Sequence, residues 1–524
     1  MAEQPNLHGI DVGDAAVDEG AKEGRSSGKL LNEHPKLESI DRSQGIFQSI
    51  FVDELIGPDH PARAIWNLTG QLELSGFRGK VTSTEGSAGR PAKDPRLLIA
   101  IWIYAYSEGI SSARELERLM EYEPGLKWLT GVSVVNHHTL STFRVEHREQ
   151  LDEMFTELLA ILEKQGFIEL DEVMQDGTKI RAHAGADAAR REKTLNEHLE
   201  RAHRRVADLA DPNDETISKR RQAAQERAAR QQVERLEQAA KELKTLQSAK
   251  KDSKERQAVR VNLTEPESRV MKHGDHAYAP SYNAQITTEA SNKIIVAVGL
   301  TNVGHDADAL APAMEKVKAS CQRYPDRVVA DGGYTNQATM IEMEDKKIEF
   351  IGSIRDKASA QAGSAVAAGI DPQFAAAFFK VIEERKLSMC PAGKLMHYVR
   401  QSKKGDSVYH QYQGSAGDCG VCAFGKQCCP RNAHRGRTVS ILVKEPEAIK
   451  RFRDKMETEQ AKAIYKRRGA VAEFPHCWIK DKIGLRKFRL RGLVKAGTEL
   501  LWAVLTYNCM QWIRLSSAKA LLAA

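Results

Sequence analysis

The chain has 524 residues, 41% hydrophobic and 28% charged, with a net charge of +7. That balance supports a sizeable core in roughly two to four soluble, globular domains, and the charge is only a mild bias toward acidic partners. The first twenty residues carry no apolar stretch of the secretory kind. The longest apolar runs, LLIAIWIYAY (97–106) and LLWAVLTYNCMQWI (500–513), are too short to cross a bilayer. A cytoplasmic location is therefore expected. There, the eight cysteines read as thiols or metal ligands rather than disulfides.

Residues 1–43 are polar, poor in aromatics and read as a flexible tail. Residues 44–165 read as helical. Asp94 can cap a helix with Pro95 at its first position, and Gly109 stops it. Ser111-Ser112 and Asn136-His137 open two more helices. Short helices joined by tight polar turns fit a helix-turn-helix arrangement, or a generic bundle. If that arrangement binds DNA, the helix around Thr139 is the expected groove reader, with Arg144 reaching the DNA.

From 166 the pattern becomes mixed α/β. FIELDEVMQDG reads as a strand, and YNAQITTEA (282–290) and KIIVAVGLTNV (293–303) as an antiparallel pair. Residues 308–319 form a helix, RVVADGG (327–333) a strand, NQATMIEMEDKK a helix and EFIGSIR a strand. Residues 186–258 interrupt this domain with two long charged helices folded back as a hairpin, broken at 211–214. They are a solvated extension of the fold or a binding surface. Residues 356–452 form a second, cysteine-rich interruption, and a helical part, 453–516, closes the α/β domain.

Two strands of that domain end in Asp-Gly, at Asp176-Gly177 and Asp331-Gly332. Each pair alone is an ordinary turn signal. Together, carboxylates on neighbouring strands repel unless a cation lies between them, and oxygen donors of this kind suit Mg²⁺ or Mn²⁺. Lys179 and Arg181 follow Asp176 directly and could hold a phosphate chain. Glu473, on a basic helix with Tyr465, Arg467, Arg468 and Lys480, is the candidate third acid, or a surface glutamate. Pro475 should kink the helix beside it.

Several blocks, in this order and spacing, carry a resemblance to a known family. They are GRPAKDPRLLIAIWIYAYSEGISSARELERL (89–119), HHTLSTFRVEH (137–147), QDGTKIRAHA (175–184), LTEPESRVM with YNAQ (263–285), ADGGY (330–334), and YKRRGAVAEFPHCWIK with GLRKFRLRGLVKAGTELLWAVLTYN (465–508). From 46 to 515 the chain resembles bacterial insertion-sequence transposases of the DDE type with an InsH-like helical N-terminal domain.

The resemblance implies an RNase H-like catalytic domain (166–185, 259–355 and 453–516) carrying the two insertions. It places the catalytic, metal-holding triad on Asp176, Asp331 and Glu473. Tyr465, Arg468 and Lys480 fall on its last-helix pattern. Lys179 and Arg181 would then hold DNA phosphates. The implied cofactors are two Mg²⁺ or Mn²⁺ ions, driving in-line displacement at phosphorus. The implied partner is double-stranded DNA, both element ends and target, bound by a homodimer on the nucleoid. Where relatives carry Val-Glu-Pro-Val-Phe-Gly, this chain has Ala472-Glu473-Phe474-Pro475-His476. A DNA-binding regulator without chemistry, or a metal-dependent nuclease without strand transfer, are the alternative functions.

The cysteine-rich insertion holds Cys390, the pair Cys419 and Cys422, and Cys428-Cys429. A C-x₂-C with two further cysteines has the spacing of a structural zinc site. Cys390, Cys419, Cys422 and Cys428 are the expected ligands, Cys429 the alternate fourth and His434 a weaker substitute. The other reading is buried, unbound thiols.

Overall fold

The structure, a computed structural model, describes residues 49–81, 91–210, 219–353, 363–404, 406–431 and 433–523. The expected tail over 1–43 and the break at 211–214 lie outside these. The chain divides into two compact units, residues 1–50 and 51–524. Of the first, only Ser49 and Ile50 are described, and the elements below all belong to the second.

After a 3₁₀ turn at Val52–Leu55 come α1 (Pro61–Thr69), a single helical turn at Ser75–Arg78 and α2 (Pro95–Ser107). Asp94 caps α2 by accepting the Arg96 N–H at 2.8 Å, with Pro95 at the first position. Gly109, at φ +75°, ends the segment. Every residue from Leu98 to Ser107 is buried, so α2 is a central helix covered on all sides. Then follow α3 (Ala113–Leu119), α4 (Pro124–Thr130), α5 (His137–Glu146) and α6 (Arg148–Lys164). Ser112 caps α3, Glu123 caps α4 and Asn136 caps α5. Each side-chain oxygen satisfies amides that the first helical turn leaves free.

β1 (Glu172–Arg181) begins the α/β part. The hairpin helices α7 (Glu192–Ala210) and α8 (Lys219–Ser248) pack along Leu195, Ala202, Leu236, Ala239 and Leu243. Next come β2 (Arg269–Lys272), β3 (Tyr278–Glu289), β4 (Ile295–Thr301), α9 (Leu310–Cys321), β5 (Arg327–Ala330), α10 (Gln337–Asp345) and β6 (Glu349–Gly352). The sheet runs β2-β3-β1-β5-β6, and β4 pairs with β3 beyond β2. β3 runs antiparallel to both β1 and β4, whereas β5 and β6 run parallel to β1.

The second insertion is an antiparallel sheet ordered β11-β10-β9-β8-β7. Its strands are β7 (Lys380–Ile382), β8 (Leu387–Met389), β9 (Leu395–Lys404), β10 (Ser407–Gly414) and β11 (Thr438–Lys444). The chain closes with α11 (Glu447–Glu457), α12 (Glu459–Cys477), a π-helical turn at Trp478–Lys482 and α13 (Leu493–Ala523). Pro475 lies inside α12, where it has no N–H to offer the Val471 carbonyl.

One hydrophobic core runs from Ile56 to Trp512, so the helical N-terminal part and the α/β part are packed together. The Trp102 and Trp502 rings meet at 6.4 Å, and their indole N–H groups donate to Leu140 O and Arg144 O, both at 3.1 Å. Asn508 of α13 bonds both the N–H and the carbonyl of Ile295, at 3.0 and 2.8 Å, and so satisfies the outer strand β4.

Candidate active site

Asp176 does not stand at a strand tip as expected. β3 pairs with β1 as far as Arg181, so the strand continues through Asp176 opposite Ile286. What ends there is the other ladder: β1 and β5 pair up to Gln175 with Ala330. The next residues along the two parallel strands are Asp176 and Asp331. Alternation puts both on one face of the sheet, with Met174 and Val329. That face is covered by α12, since Met174, Val329 and Ile351 pack against Ala461, Ile464 and Ala472.

α12 reaches Asp176 with two residues eight positions apart. Arg468 Nη1 lies 3.8 Å and His476 Nδ1 3.7 Å from Asp176 Oδ2. Just beyond, Lys480 Nζ donates to Thr178 Oγ1. The Arg468 guanidinium lies 5.9 Å from the Tyr465 ring centre. Burial pushes the Asp176 carboxyl up to about 6 against the pull of Arg468, and the charges of Asp331 and Asp306 push the same way. Burial, with Lys480 and Arg468, drives His476 down to about 3, so its imidazole is neutral. Glu473, one position past Ala472, is exposed, and its carboxylate does not lie among the groups that shift Asp176.

The other face is a polar network. Gln285 accepts from Gln175 Nε2 at 2.8 Å and Tyr334 OH at 2.6 Å. Asp306 Oδ1 accepts from Gln285 Nε2 at 2.6 Å and Asn283 Nδ2 at 2.7 Å. Gly177 makes this possible, because a Cβ there would lie 2.6 Å from Asp306 Oδ1 and 2.7 Å from Gln285 Nε2.

Residues 51–146 match the family model Transposase domain (DUF772), and residues 389–513 match Transposase DDE domain. Together the two matches indicate an insertion-sequence DDE transposase. The second match includes Glu473, while Asp176 and Asp331 lie between the two matched stretches. No curated protein matches the chain. A DDE domain points to an enzyme that cleaves and transfers DNA. Among the described residues no helix is long and apolar enough to cross a membrane.

Among the described residues no three His, Cys, Asp or Glu side chains stand close enough together to hold a metal ion as they are placed. The donors at Asp176 and Asp331 nevertheless suit one. They are oxygen-only, and a cation beside them would relieve the burial and repulsion that raise Asp176.

Several expected DNA contacts are placed differently. Arg144 is buried: its Nη1 donates to Ser111 O at 2.7 Å and its guanidinium stacks 4.6 Å over Trp102. It joins helices in the interior, because α2 and α13 cover that side of α5, and not on the exposed surface expected of a DNA contact. The face of α5 open to solvent carries His138, Thr139 and Thr142. They line a groove with Lys80 and Lys93. Lys179 and Arg181 fall by alternation on the sheet face opposite Asp176, and Arg181 is paired with Asp275 at 2.9 Å. Arg467, the alternative to Arg468, bonds Glu172 at 3.2 Å.

Sequence reasoning missed His476 and Asp306. The spacing of Arg468, Ala472 and His476, each four residues on, marks one helix face and could have pointed to the histidine. Nothing local marks Asp306, whose role depends on β3.

In the insertion, Cys390, Cys419, Cys422, Cys428 and Cys429 line one small pocket. Burial pushes the Cys428 thiol up to about 11. His434 is exposed. Cys321 and Cys509 are buried elsewhere and Cys477 is exposed.

Proposed function

We propose that the transposase binds the terminal inverted repeats of its element, cleaves at the ends and joins them to target DNA on an RNase H-like catalytic domain. The observation that carries this reading is the juxtaposition of Asp176 and Asp331, one residue beyond the last β1–β5 pair, under the helix that bears Glu473. The strand order, with antiparallel β4-β3-β1 followed by parallel β5 and β6, agrees with such a domain.

Asp176, Asp331 and Glu473 would hold the divalent ions that the family uses. When bound, such ions activate the attacking oxygen and stabilise the leaving one. Glu473 is exposed on the same helix, where it can join the other two acids once cations neutralise their repulsion. Arg468 and Lys480, which lie beside Asp176 and Thr178, would bind the scissile phosphate, and Tyr465 would pack against the DNA backbone. In this role the protein mainly positions the DNA and offsets its charge. Recognition of the ends falls to α5, through His138, Thr139 and Thr142, with Arg114 and Arg118 of α3, both exposed, on phosphates.

The test is a cleavage and joining assay on duplexes carrying the sequences that flank the reading frame, with Mg²⁺ or Mn²⁺. Cut ends that join a target duplex support the proposal. Cutting without joining leaves a nuclease, and binding without cutting leaves a regulator.

A further inference from the structure

The cysteine pocket lies on the second sheet, apart from the acids, and the chemistry of the acids does not use it. Cys390 sits in the turn after β8. There the Gly393 N–H donates to Cys390 O at 2.8 Å and the Lys394 N–H to Cys390 Sγ at 3.3 Å. Gly393 adopts φ +76° to close that turn. Cys419, Cys422 and Cys428 come from the loop between β10 and β11. The Arg437 N–H donates to Cys419 Sγ, also at 3.3 Å. A Cβ at Gly414 would lie 3.1 Å from that sulfur. All four sulfur-bearing residues line the same small pocket.

We propose that Cys390, Cys419, Cys422 and Cys428 hold one Zn²⁺ as a structural site that ties the turn after β8 to the loop between β10 and β11. Backbone N–H groups aimed at sulfur stabilise thiolates, the form that binds zinc, and fix their direction. Four thiolates complete a tetrahedral shell and leave no position for a substrate. The sheet around them has little else to hold it: its buried apolar cluster is Phe379, Met396, Tyr412 and Val439. The sulfurs do not yet converge on a common point among the described residues, so zinc draws the two segments together, and binding and local ordering become one event. The softer sulfur donors keep this ion distinct from those at the oxygen-lined acids.

The test is elemental analysis of the full chain, purified without chelator, with Co²⁺ as an optical probe. The expected result is about one zinc per chain, and a thiolate-to-cobalt charge-transfer band when Co²⁺ replaces it. Cys419→Ser and Cys428→Ser should each lower the zinc at least about tenfold, and Cys429→Ser should retain it. The Co²⁺ spectrum of the unaltered chain decides the matter if a variant fails to fold. Zinc below about a tenth of an equivalent with no thiolate band, or iron in its place, overturns the proposal. Loss of zinc in Cys429→Ser with retention in Cys428→Ser overturns the ligand assignment.

Discussion

His476 Nδ1 lies 3.7 Å from Asp176 Oδ2, yet the two do not form an ion pair at neutral pH. The imidazole is neutral because burial and the cations Lys480 and Arg468 hold it down to about 3. Arg468 is then the charged neighbour that opposes burial of Asp176.

That imbalance makes the acid costly to the fold. Its pKa rises from the ordinary 3.8 to about 6. An acid raised in this way adds stability that is fully present below the unfolded value and is lost as pH rises through the folded one. Asp176→Asn should therefore stabilise the transposase above pH 6 by up to about 3 kcal/mol, with the gain vanishing toward pH 4. Thermal melts of both proteins across that range check it. A constant offset at every pH would contradict the argument.

Asp176→Asn, Asp331→Asn and Glu473→Gln should each lower cleavage at least about a hundredfold while leaving binding to element ends largely intact. An amide keeps the shape and removes the charge. Chelation of divalent metal should have the same effect on the unaltered protein. Cleavage and mobility-shift assays on one set of duplexes read both outcomes, and normal cleavage by one variant removes that residue from the site.

His138→Ala, Thr139→Ala and Thr142→Ala should each cost about 1–3 kcal/mol of discrimination between element ends and unrelated DNA, with stability unchanged. Arg144→Ala should do the reverse. It removes the bond to Ser111 O and the stacking on Trp102, and should destabilise the fold by about 2–4 kcal/mol. Competition binding and denaturant melts separate the two effects.

Gly177→Ala should lower cleavage at least about tenfold, because the new methyl must push Asp306 or Gln285 out of the network behind Asp176. Gly185→Ala, with open space around it, is the control. Equal activity of the two variants would show that the network does not position the acid.

The features legible in the sequence are those whose partners are near in the chain. Asp94 caps α2 through Arg96, and Asn136 caps α5 through His138. Such bonds close within two residues, so residue type and spacing suffice to predict them. The charged hairpin and the order of strands and helices around the two Asp-Gly pairs follow from periodicity in the same way. Tertiary structure decided what depends on distant partners. Asp176 lies within a strand because β3, from about a hundred residues later, extends the ladder past it. Arg144 is buried because α2 and α13 close over it, although its place on the expected groove-reading helix suggested exposure. His476 meets Asp176 because α12 crosses the sheet at that register. Burial and register are properties of the assembled core, and local preference along the chain does not contain them.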